Sequence, residues 1–157
     1  MATTIDFLAT LDDARFLGIY EALSEQGFGP LDHEVAKAMK FRPHAIRKLP
    51  MPQRAKKART ILTGTRNAEM CYELLGSYLM KAHKELIIEF LDATGVDHED
   101  GLIEGENIVP DDAKLDAAIE ALDAKHPADE VTMYLALSAQ TWPEVPRFEE
   151  LWQARVK

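Results

Sequence analysis

Cysteine is almost missing from this chain: Cys71 is the single one in 157 residues. A lone thiol excludes an internal disulfide and a cysteine-based zinc site, and it agrees with a reducing compartment. Long apolar runs are missing as well. No stretch nears the roughly 18 residues of a membrane span, and the opening "MATTIDFLATLDD" has neither the basic nor the apolar region of an export signal. The expectation is a cytoplasmic protein with no membrane partner. Alternating β-type runs, a phosphate-cradling glycine-rich loop and a nucleophile elbow are also absent. The five histidines are never preceded by glutamate at the three-residue step of helical di-iron sites, because positions 30, 41, 80, 95 and 123 hold Pro, Phe, Met, Gly and Asp. No cofactor, metal or catalytic residue is assigned.

What is present is helical periodicity, with 46% hydrophobic residues, enough to bury roughly two-thirds of the unfolded surface in one core. The class read from it is all-α: a single domain, 1–157, of six to eight helices, with an N-terminal subregion (1–64) followed by central and C-terminal helices (65–157). A first helical region covers about Thr4 to Gln26, with a break near Thr10, and Gly27 stops it. Asp32 caps a short helix through Phe41. Pro43, Pro50 and Pro52 then divide the chain. A long central helix spans about 66–94, others cover about Asp111–Lys125 and start at Pro127, and a last one carries Phe148, Leu151 and Trp152. Trp142 and Trp152 are expected to dock that tail on the core.

The stretch "FLDATGVDHEDGLIEGENIVP", rich in carboxylates, invites a metal-loop reading. Set with Gly101 as the central glycine of a calcium loop, ligand positions fall on Val96, His98, Asp100 and Asn107, two of which are the wrong type. Helix punctuation explains it better: Gly95 stops the central helix and Val96 follows in a Schellman arrangement. Leu102, Ile103, Ile108 and Val109 bracket "EGEN", which predicts a tiny hairpin near 102–109 whose aliphatic side chains pack inward. His83 reads as a core histidine with one backbone or carboxylate partner, Glu85 or Glu89 being near. Cys71, on an apolar stripe, reads as an inert core thiol.

Acidic residues are missing from one region altogether: Val35 to Ala68 has none. It holds ten cations, Lys37, Lys40, Arg42, Arg47, Lys48, Arg54, Lys56, Lys57, Arg59 and Arg66, while the rest of the chain has eight cations and all 27 acids. The segment is +10 and the remainder 8 − 27 = −19. "MPQRAKKARTILTG" predicts an amphipathic helix with Met51, Ala55, Ala58 and Leu62 as its apolar face. A binding face of Arg47, Lys48, Arg54, Lys56, Lys57 and Arg59 is the expected site, for a protein partner or self-association. Nucleic acid is disfavoured by the net charge of −9 and by the lack of aromatics there, Phe41 apart. The non-enzymatic interaction or regulatory reading therefore leads. The alternative from another class is a small metal-dependent hydrolase using His98 with Asp97, Glu99 or Asp100 and a distant His83.

Overall fold

The computed structural model describes residues 4–25, 48–65, 68–103, 105 and 108–156. Among them are eight α-helices and one two-stranded antiparallel sheet, so the fold is all-α as expected. The helices are α1 (Thr4–Thr10), α2 (Asp13–Glu25), α3 (Met51–Thr65), α4 (Ala68–Ala82), α5 (Lys84–Thr94), α6 (Leu115–Lys125), α7 (Ala128–Thr141) and α8 (Arg147–Arg155). The strands β1 (His98–Glu99) and β2 (Leu102–Ile103) lie between α5 and α6. None of the described helices is long and apolar enough to cross a membrane. The chain divides into two compact units, one up to Tyr78 and one from Leu79. The Gly27 stop and the Asp32–Phe41 helix lie outside the described residues.

In the first unit, the break near Thr10 is a real joint. The Thr10 hydroxyl bonds back to the Phe7 carbonyl at 2.7 Å, and the Asp12 carboxylate accepts the Arg15 amide at 2.7 Å, capping α2. Helix α3 packs on both α1 and α2. Its face of Ala55, Ala58 and Leu62 is buried as predicted, with Met51 half-buried. Ile5, Phe7, Leu8, Phe16, Ile19 and Leu23 complete this core, and Cys71, Leu74 and Leu75 of α4 are fully buried. Burial pushes the Cys71 thiol up to about 11, so it is the inert core cysteine expected.

The long helix expected over 66–94 is two helices. His83 leaves the helical region (φ −136°, ψ 40°), so α4 ends at Ala82 and α5 restarts at Lys84. The joint keeps its backbone bonded: the His83 amide donates to Leu79 at 2.8 Å, and its carbonyl accepts from Leu86 at 3.1 Å. Nothing in the sequence around His83 marks this stop, since it is neither proline nor glycine. In the second unit the helix enclosed on all sides is α7, where every residue from Glu130 to Ser138 is buried. It packs on α6 and α8, while α5 packs on α6.

Aromatic contacts fix the end of the second unit. The Phe90 ring meets Tyr134 edge-on at 5.0 Å and Phe148 at 5.9 Å, and Phe148 stacks on Trp142 at 5.6 Å. Both indoles are buried, as the sequence implied, and each finds an acceptor: Trp142 donates to the Ile108 carbonyl and Trp152 to Glu149, both at 3.0 Å.

Gly95 (φ +75°) ends α5 as predicted. The Val96 amide donates to Leu91 at 2.9 Å and the Gly95 amide to Asp92 at 3.4 Å, the two bonds of a Schellman motif. The hairpin that follows sits earlier than expected. Leu102–Ile103 is a strand, but its partner is His98–Glu99, with Glu99 opposite Leu102 and His98 opposite Ile103. Asp100 (φ 53°) and Gly101 (φ 90°) make the turn, and an Asp-Gly pair is what a two-residue reversal with two positive φ angles demands.

Candidate docking face on the basic helix

The register of α3 decides what its cations do. At roughly 100° per residue, Ala55, Ala58 and Leu62 define the buried stripe, and Arg54 and Arg59 fall on its two flanks. Lys56, Lys57 and Thr60 fall on the opposite side. The flanking arginines are long enough to fold back over the neighbouring helix, and they do. The Arg54 guanidinium lies 5.5 Å from the Tyr20 ring centre, and that of Arg59 lies 6.0 Å from Phe16.

Arg59 is a structural clamp. It bonds the Asp13 carboxylate at 3.1 Å, the Ala9 carbonyl at 2.8 Å and the Leu11 carbonyl. Those carbonyls belong to the end of α1 and the residue after it, where helix carbonyls lack intrahelical partners and a cation is favoured. Arg54 and Arg59 have their own intramolecular partners, because their register sets them beside the core.

What remains is a lysine face. Lys48 and Lys56 are exposed and Lys57 half-buried, and no carboxylate among the described residues pairs with any of the three. Lys56, Lys57, Thr60 and Ile61 line a shallow groove of about 340 Å³. Beside it, Lys56 also borders a cleft of about 220 Å³ whose lining includes Phe16, Leu17, Pro52 and Ala55. Arg47, the remaining residue expected at the site, lies outside the described residues, as do Lys37, Lys40, Arg42 and Arg66. No protein-family model, curated protein or solved structure matches this chain. Its chemistry is therefore read from its own geometry.

The acid-rich loop in the second unit is held differently from a metal site. The Gly101 amide donates to His98 Nδ1 at 3.0 Å, which makes that nitrogen the acceptor; Nε2, 2.7 Å from Asp92, then donates to the carboxylate. Both ring nitrogens are engaged in bracing the hairpin. Asp100 is tied to Lys84 at 2.5 Å. His83 faces Glu130 at 3.6 Å, and Glu89 faces His126 at 2.9 Å. The carboxylate nearest His83 is thus neither of its sequence neighbours but one from α7. No group of three or more His, Cys, Asp or Glu among the described residues is placed to share a metal ion.

Sequence reasoning missed one surface. Leu102, Ile103 and Val109 do not pack inward: they are 63%, 39% and 42% exposed. The Asp-Gly pair was the signal that would have placed the turn, and with it Leu102 and Ile103, correctly.

Proposed function

We propose that this chain is a non-enzymatic protein-interaction domain in which the lysine face of α3 takes an acidic segment of a partner protein. The observation that carries this reading is the division of labour on α3: its arginines serve the fold, whereas Lys56 and Lys57 border a groove where no carboxylate among the described residues neutralises them. Two ammonium groups beside Thr60 and Ile61 suit an extended segment with carboxylates and an occasional apolar side chain. Charge of opposite sign on the partner would speed encounter and fix orientation. A nucleic acid is less well served, because among the described residues the rings beside α3, Phe16 and Tyr20, lie under guanidinium groups and are unavailable for base stacking.

The test is the binding of poly-L-glutamate at low salt, followed by fluorescence anisotropy on the full chain. The wild type is expected to bind and to release on added salt. The double variant Lys56→Glu/Lys57→Glu should keep its helical circular dichroism and lose at least about tenfold in affinity. Unchanged binding by that variant would overturn the reading. Tighter binding of a mixed-sequence oligonucleotide than of polyglutamate would replace it with the nucleic-acid one.

A further inference from the structure

The hairpin β1–β2 is the counterpart of the lysine face. Leu102 and Ile103 project from it, and Glu99, directly across the strands from Leu102, is exposed, as is Asp97. Neither carboxylate is paired with a cation among the described residues. A two-residue hairpin is not stable alone, but this one is pinned at three points. Lys84 bonds Asp100, Asp92 bonds His98, and Gly101 lies so close to Met80, Ile87 and Ile88 that a Cβ there would be within 3.8 Å of all three. Its exposed Leu102 is therefore presented rigidly, and docking would cost little ordering entropy.

Helix α3 offers the converse arrangement. Lys57 stands one turn before the half-buried Ile61, and Lys56 one turn before Thr60. One surface is an aliphatic side chain, Leu102, beside two carboxylates; the other is an aliphatic side chain, Ile61, beside two ammonium groups. Like-with-like pairing would oppose lysine to lysine or carboxylate to carboxylate, so a symmetric contact through either patch is disfavoured. We infer that the partner of the lysine face is a second copy of this chain, which lays the hairpin face of Leu102, flanked by Asp97 and Glu99, into the groove of Lys56, Lys57, Thr60 and Ile61. This inference rests on the docking role proposed for α3. The contact is head to tail, using different patches on the two copies. It is also small beside the roughly 800 Å² per partner of a standard interface, so association is concentration-dependent and salt-sensitive.

The full chain is examined by sedimentation velocity over a concentration series at low and high salt. At low salt the mean mass of the wild type rises above the 17.6 kDa of one copy as concentration increases, and high salt returns it there. Leu102→Ser/Ile103→Ser and Lys56→Glu/Lys57→Glu each sediment as single copies. Mixed together they form a one-to-one dimer, because the first retains a groove and the second a hairpin. A wild type that stays at one-copy mass at every concentration overturns the inference, as does a hairpin variant that associates like the wild type, or a mixture that does not dimerise. If the wild type stays single yet binds polyglutamate through Lys56 and Lys57, self-association fails and the acidic-partner reading survives. If polyglutamate does not bind either, both fail.

Discussion

Helix α3 of the first unit and helix α8 of the second are both stitched down by arginine, and they differ in what is left over. On α8, Arg147 bonds Asp116 at 2.7 Å, while Arg155 takes both oxygens of Asp123 at 2.8 and 2.9 Å and also reaches Thr132 and Ala128. Lys84 and Lys125, elsewhere in that unit, also face carboxylates. On α3, Arg59 is matched by Asp13, but Lys56 and Lys57 have no such partner among the described residues. A count of cations along the sequence therefore does not define a docking face. The surplus after intramolecular matching marks the candidate one.

That contrast can be broken most forcefully at Arg59. Arg59→Ala leaves the terminal carbonyls of α1 and the Asp13 carboxylate without their donor, and urea unfolding should show a loss of about 2 kcal/mol. Arg155→Ala is the corresponding cut in the second unit, expected to cost about 1.5 kcal/mol, because Asp123 is partly open to water. It also carries a pH signature. The hydrogen bond from Arg155, backed by its charge, holds the Asp123 carboxyl below its ordinary value of 3.8. The native state therefore binds that proton less readily than the unfolded chain. The stabilisation is complete above that ordinary value and is lost as pH falls below it. Stability measured from pH 5 downward should fall less steeply in Arg155→Ala than in the wild type.

Gly101→Ala should cost about 1 kcal/mol, since its φ of +90° suits glycine alone. Hydrogen exchange at the hairpin amides would report the loosening. The smallest effect on stability is expected from Lys56→Glu/Lys57→Glu, within about 0.5 kcal/mol of the wild type. A large loss there would mean that the two lysines hold the fold and are not surplus.

The helical class, the buried face of α3, the stop at Gly95 and the docking of Trp142 and Trp152 were all legible, because each depends on local periodicity or on a terminator with its own chemistry. The break at His83 was not, since no proline or glycine announces it. The carboxylate partners of the histidines were also hidden. Glu130 lies 47 positions from His83 and Glu89 lies 37 from His126, and only the folded chain brings such pairs together. The lysine face was half legible. Net charge located the segment, but the separation of flanking arginines from outward lysines needed the register of α3 set against the positions of Phe16 and Tyr20.

Cys71 turns one of these features into an instrument. Fully buried and with its thiol pushed up to about 11, it is invisible to a thiol-directed dye until the surrounding packing opens. No other cysteine in the chain competes for the label. When opening is fast and labelling slow, the modification rate measures the free energy of that opening. The chain thus carries a native clock for the breathing of its first unit, readable without adding a probe to the sequence.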